Sequence, residues 1–202
     1  MKKLIAGVVL GLGLSVAAHG AGDPEAGEAN AAVCASCHGA GGAAPIMGVY
    51  PKLSGIGETY LYRQLMAIRD GDRPIPEMTG LLDNMSDDDL LDLAAYYDQQ
   101  SMPIGQADPD LVDQGQALYR GGNLASGIAA CAACHSPQGK GNEPAGYPRL
   151  SGQSADYVAK SLQDYRKGDR AGGVNAQIMI DIASRLSDAE IEAVSSYISG
   201  LH

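Results

Sequence analysis

Apolar residues return at helical spacing in corresponding places along the two halves of this chain. Leu61, Leu65 and Ile68 fall at i, i+4 and i+7, and Val158, Leu162 and Tyr165 repeat the spacing. Each set predicts an amphipathic helix with one face turned to a core. A second pair of stripes runs through Leu90, Leu93 and Tyr97, and through Ile191, Val194 and Ile198. Ser86 with Asp89, and Ser187 with Glu190, precede these stripes in the pattern of a capping box, which marks where each helix opens. Asp23-Pro24 and Asp108-Pro109 each set an N-cap residue before a proline suited to the first turn, predicting a further helix after each. Nowhere do apolar and polar residues alternate over the length of a strand. The expected class is all-α, with helices joined by Gly- and Pro-rich loops.

The two halves are copies of one plan. At an offset of 97, Tyr50-Pro51 meets Tyr147-Pro148, "LSG" at 53–55 meets 150–152, Tyr60 meets Tyr157, and "GDR" at 71–73 meets 168–170. The second half then gains four residues, so that at an offset of 101 Met78 meets Met179, Ser86-Asp87 meets Ser187-Asp188, and Tyr96 meets Tyr197. A duplicated unit of this size is a small domain. The expected organisation is 21–100 and 111–202 as two domains, with 101–110 as linker.

Residues 1–20 stand apart. Lys2 and Lys3 precede a short apolar run from Leu4 to Ala18, and small residues lead up to Ala21, the pattern of a cleaved secretory signal. The run is too short for a comfortable membrane span. Without that segment, 12 basic face 24 acidic side chains, a formal charge of -12. Such a surface excludes binding to nucleic acid or an anionic bilayer by charge and favours a partner that is basic at its contact. The acidity is uneven: residues 21–104 carry a net -9 and residues 105–202 a net -3.

Export sharpens the meaning of the cysteines. All four lie in "CASCH" at 34–38 and "CAACH" at 131–135, so none remains for a disulfide staple. A single zinc site made from four thiolates would leave both adjoining histidines unexplained. C-x-x-C-H instead suits haem attachment: two thiols can add to the porphyrin vinyl groups while the next residue, His38 or His135, is placed beneath the iron. Of the three histidines after residue 20 only the terminal His202 is left, so a second histidine on both irons is nearly impossible. Methionine is then the natural sixth ligand. Met179 is the one methionine after His135, and the repeat pairs it with Met78, whereas Met85 pairs with Leu186. Met47, Met66, Met85 and Met102 read as core filler. The absence of Phe after export, with no Trp, leaves each unit too little apolar bulk to be secure alone, and a large apolar cofactor would correct that.

Pro51 and Pro148 each lie thirteen residues after their histidine, where a loop carbonyl could fix the imidazole, although the same prolines suit a plain turn. Arg73 and Arg170, or Lys52 and Arg149, are candidate partners for haem propionates.

With these motifs in place, the chain resembles the dihaem cytochrome c4 family from end to end. The resemblance rests on "AGDPEAG", "CASCHG", "YPKLSG", "EMTGLLDNMSDDDLLDLAAYY", "YRGG", "CAACHSPQGKGN", "YPRLSGQ" and "SSYISGLH". It implies two tandem class I cytochrome c domains related by pseudo-twofold symmetry, and two covalently attached haem c groups. Cys34, Cys37, Cys131 and Cys134 would carry the thioethers, with His38, Met78, His135 and Met179 as axial ligands. It further implies a periplasmic, monomeric electron carrier, not an enzyme, with at most peripheral membrane contact. Its expected partners are a membrane haem-copper terminal oxidase and an upstream quinol-oxidising complex. The competing readings are a dihaem subunit of a larger oxidoreductase such as a flavocytochrome, and a peroxidase, which would need an open iron position.

Overall fold

The computed structural model describes residues 22–173 and 175–202, so the expected signal peptide at 1–20 lies outside the described residues. The described chain is helical, with two isolated bridges, Asn123 to Ile128 and Asn142 to Tyr147, as its only β pairing. The first half contains α1 (Pro24–Asn30), α2 (Ala35–His38), α3 (Glu58–Arg69) and α4 (Asp87–Asp98). The second contains α5 (Val112–Gly121), α6 (Ala132–His135), α7 (Ala155–Lys167), α8 (Ala176–Ala183) and α9 (Asp188–Gly200). Short 3-10 turns at Ala40–Gly42, Pro76–Met78 and Glu143–Ala145 complete the list of elements.

The capping boxes form as the sequence predicts: Ser86 and Ser187 each accept the backbone N–H three residues on, and Asp89 and Glu190 answer on the cap residue's own N–H. Asp23 caps α1 through the amides of Glu25 and Ala26. Asp108 departs from expectation. Its carboxylate accepts Asp110 N–H at 2.9 Å and its carbonyl accepts Leu111 N–H at 3.0 Å, closing a separate turn, and α5 opens only at Val112. The local donors were satisfied by a turn before the helix began.

Two hydrophobic cores form, one per half. The first gathers Leu61, Leu65, Leu90, Leu93 and Tyr97, and the second Val158, Leu162, Ile191, Val194 and Ile198. These are the faces that the periodicity marked. Met102 is buried in the first core, as filler should be, but Met47 is 51% exposed and fills nothing. The loop that bears it lies at the surface, away from the helix faces that make the core. Residues 101–107 are mostly exposed but tied to α9: Gly105 N–H donates to Ser199 C=O at 2.9 Å, and Ser199 Oγ donates to Gln106 C=O at 2.9 Å.

The halves join through backbone as much as side chains. Gln153, only 2% exposed, makes a reciprocal pair with the main chain of Lys52, accepting its N–H and donating to its C=O, both at 2.9 Å. Lys52 Nζ donates to the carbonyls of Pro103 and Gly152 at 2.8 and 2.7 Å, and Arg149 N–H donates to Ile56 C=O at 3.0 Å. Lys52 is thereby tied up at the junction.

In each half the N-terminal helix crosses the C-terminal one at a glycine. A Cβ on Gly27 would collide with the carbonyl of Asp92, and one on Gly115 with the carbonyl of Ala193 and the Cβ of Tyr197. Alanine normally favours a helix over glycine by about 1 kcal/mol. Here the collision outweighs that, because backbone cannot step aside. Gly115→Ala should lower the unfolding free energy of the second domain by about 1–3 kcal/mol in a denaturant titration. An unchanged or raised stability would contradict the close crossing.

Candidate functional site

The four-residue helices α2 and α6 bring Cys, Cys and His to the floor of a cleft. One helical turn between the two cysteines sets both thiols on one side, and the histidine follows at the end of the turn. The chain must then reverse, which Gly39 does at φ 77° and Ser136 at φ 69°. A non-glycine residue there is strained, and Ser136 is held by its neighbours: Tyr119 Oη donates to its carbonyl at 2.8 Å and its Oγ accepts Lys140 N–H at 2.8 Å.

Both imidazoles are fixed by the prolines thirteen residues on. His38 Nδ1 lies 2.9 Å from Pro51 C=O, and His135 Nδ1 lies 3.0 Å from Pro148 C=O. A carbonyl only accepts, so Nδ1 carries the proton and Nε2 keeps its lone pair. Burial depresses the pKa of both histidines, against a smaller opposing effect of the carbonyl bond, so the rings are neutral. A neutral imidazole with its second nitrogen oriented in this way is the state that ligates a metal. Burial likewise raises both Cys34 and Cys131, the latter to about 11, keeping the thiols protonated.

Each cleft unites the predicted residues of its own half. The first, about 920 Å³, is lined by Cys34, Cys37, His38 and Met78; the second, about 200 Å³, by Cys131, Cys134, His135 and Met179. Met85 also lines the first cleft, so proximity alone leaves two methionines there. Met78 ends a 3-10 turn, whereas Met179 sits on α8, a helix that sequence reasoning missed. The run of Ala, Ile, Met and Ile at 176–183 carried the signal, hidden because its counterpart in the first half is a proline-bearing turn.

The wall between the clefts is shared. Ile56, Tyr60 and Gln64 from the first half and Tyr157, Ser161 and Arg170 from the second line both cavities. Arg170 donates to Tyr60 Oη at 2.6 Å and to Gln64 Oε1 at 3.3 Å, and stacks over the Tyr165 ring at 4.6 Å. Arg73 answers from the other side, donating to Gln64 Oε1 at 2.8 Å and Tyr157 Oη at 3.4 Å. Both guanidinium groups are buried, at 8% and 5% exposure, and the Nε of each has no hydrogen-bond partner. Two buried cations with donors to spare require anions. Of the two candidate pairs, Arg73 and Arg170 suit this need. Lys52 is committed to carbonyls and Arg149 Nε donates to Ser151 C=O at 3.2 Å.

Haem fits this donor set. Its apolar face would meet the lining leucines, valines and isoleucines, its vinyl edge the paired thiols, and its propionates the orphaned arginines. The roles of Gln64 and Gln153 at the junction were not foreseen, since a lone glutamine on a helix or loop gives no signal in sequence.

Comparison with known proteins gives the same architecture. A family model described as "Cytochrome c" matches residues 112–202, and one described as "Cytochrome C oxidase, cbb3-type, subunit III" matches residues 22–96. A cytochrome c4 from Pseudomonas aeruginosa is 54% identical over 202 residues, covering both chains completely. The crystal structure of reduced recombinant cytochrome c4 from Pseudomonas stutzeri superposes with a TM-score of 0.85 at 48% identity, covering 90% of this chain and 100% of that one. A more distant relative, named as a thiosulfate dehydrogenase electron acceptor in Thiomonas intermedia, is 33% identical over 98% of this chain and 91% of its own. Two helical cytochrome c units, each with one C-x-x-C-H floor, carry two covalent haem c groups, and the chain belongs to the cytochrome c4 family of electron-transfer proteins.

Proposed function

We propose that the chain is exported, loses residues 1–20, and serves in the periplasm as a monomeric two-centre electron relay. Residues 21–100 and 111–202 are the two haem-bearing domains and 101–110 the linker. Cys34 and Cys37, and Cys131 and Cys134, hold the porphyrins. His38 and His135 are the proximal ligands, and Met78 and Met179 the distal ones.

One observation carries this reading: each cleft gathers two thiols, an imidazole with a free Nε2 and a repeat-matched methionine, enough to fill every protein-supplied position of a haem iron. Haem held by His and Met supplies a one-electron couple of raised potential. The chain's own residues do the rest. Pro51 and Pro148 aim the imidazoles, the apolar lining excludes water, and Arg73 and Arg170 neutralise buried anions. With no position left for oxygen or peroxide, outer-sphere transfer is the available chemistry and peroxidase activity is not.

Electrons pass from an upstream quinol-oxidising complex to a membrane haem-copper terminal oxidase. The described residues contain no helix long and apolar enough to cross a membrane. The acidic surface supports docking to basic faces, so the rate should fall as salt rises. The relative named as a thiosulfate dehydrogenase electron acceptor favours a second source of electrons, an inorganic sulfur oxidoreductase, feeding the same relay.

Three measurements test this. Met78→Ala and Met179→Ala should each remove about half of the weak near-infrared band of Met-ligated ferric haem, because each variant then keeps one of the two such sites. Loss of the band from Met85→Ala, with Met78→Ala silent, would overturn the register. Arg170 lines both clefts and Arg73 only the first. Nearby positive charge favours the reduced iron, so Arg170→Gln should lower both midpoint potentials by tens of millivolts and Arg73→Gln mainly that of the N-terminal haem. Finally, stopped-flow oxidation of the reduced protein by a purified terminal oxidase should be fast and salt-sensitive, with negligible peroxide turnover. Sustained peroxidase activity would refute the relay.

A further inference from the structure

Although the halves repeat in sequence, their cleft mouths differ. Val33, Val49 and Leu81 line the first cleft and are 54%, 36% and 46% exposed. The Ile46 N–H donates to Cys37 C=O at 3.0 Å, which holds Ile46 and Met47 beside the same opening at 67% and 51% exposure. The repeat puts Ala130, Glu143, Pro144, Gly146 and Ile182 at these positions in the second half. Glu143 is turned inward to Thr59 N–H, Gly146 is buried and Ile182 is half-buried. Among the described residues Ile178 is the one large apolar side chain at the second cleft that is exposed to a similar degree, at 44%.

Charge around the first mouth is net negative. Glu77 and Asp169 line the cleft, the Asp156 carboxylate lies against Gly48 between Met47 and Val49, and Lys160, the one lysine lining it, is paired with Asp164. None of the four cations of residues 21–104 is free at the mouth. Lys52 binds carbonyls, Arg69 pairs with Asp70 and Asp87, Arg73 is buried, and Arg63 lies against Gly146 of the other half. The result is an apolar mouth within an acidic ring.

A group of exposed apolar side chains beside a cofactor cleft marks a contact face, and acidic surroundings select a partner of opposite charge. Resting on the electron-relay reading, we propose that the N-terminal cleft mouth is the docking face for a redox protein whose own contact is an apolar patch ringed by lysine or arginine. The C-terminal mouth, lacking that patch, is not the face this partner uses. Electron exchange with such a partner therefore enters or leaves by the N-terminal haem, and the shared wall connects it to the second centre.

The test uses the haem-loaded protein and a lysine-rich monohaem cytochrome c of positive net charge as probe, with bimolecular electron exchange followed by stopped flow. Ile46→Asn combined with Met47→Gln should slow the bimolecular rate about tenfold. Leu124→Asn, a surface change at 92% exposure in the other half, should stay within about twofold of the parent. Visible spectra and midpoint potentials should match the parent in both variants, which separates docking from damage to the haem site. Parent-like exchange by the Ile46/Met47 variant, or equal slowing by Leu124→Asn, overturns the docking face while leaving the relay intact. Failure of the parent itself to exchange electrons with the probe and with a terminal oxidase overturns both.

Discussion

Everything in this fold follows from the need to fill two clefts. Each half packs its leucines, isoleucines and valines into a core that also walls a cavity, and has only tyrosine as an aromatic to add bulk. Burial contributes about 25 cal/mol per Å² of apolar surface, so a few hundred Å² of porphyrin contact is worth on the order of 10 kcal/mol. That is comparable with the whole net stability of a small domain. The group that does the chemistry is thus also a large part of the core, and the covalent thioether attachment expected at the paired cysteines keeps the two from separating.

The same economy appears at the junction. Two arginines buried between the halves would be costly alone, since removing a cation from water requires hydrogen bonds and a counter-charge. Gln64 partly satisfies both at once, and Tyr60 and Tyr157 take one donor each across the interface. The remaining Nε groups call for anions from the cofactors, which binds the electrostatics of one site to the other. The symmetry is imperfect where it matters: the repeat sets Ser161 opposite Gln64 and Ile68 opposite Tyr165. The second arginine alone therefore gains an aromatic stack and faces both cavities. Duplication provided two equal centres, and a few side chains made them unequal.

Much of this was legible along the chain. The helix faces through Leu90, Leu93 and Tyr97, and through Ile191, Val194 and Ile198, follow from periodicity, and the capping boxes from residue type. The paired cysteines with their histidine are a local motif whose geometry is one turn of helix, and the offset between copies singles out one methionine pair. Even the imidazole partners at Pro51 and Pro148 were open to a reading by loop length. The errors came where local preference met packing: Asp108 closed a turn instead of capping α5, Met47 was placed outside rather than in, and α8 formed where periodicity had marked no element.

What the sequence by itself determined is what is encoded over a few residues: helix faces, caps, the attachment motif, the duplication and the acidity. Tertiary structure alone decided how residues about a hundred positions apart meet. It placed Gln153 on the backbone of Lys52, Arg170 on Tyr60, one shared wall between two cavities, and an apolar mouth on one cleft but not the other. The physical reason is range. Hydrogen bonding within a helical turn and side-chain periodicity act between neighbours in the chain, whereas burial of a charge or exposure of an isoleucine depends on every element that packs around it.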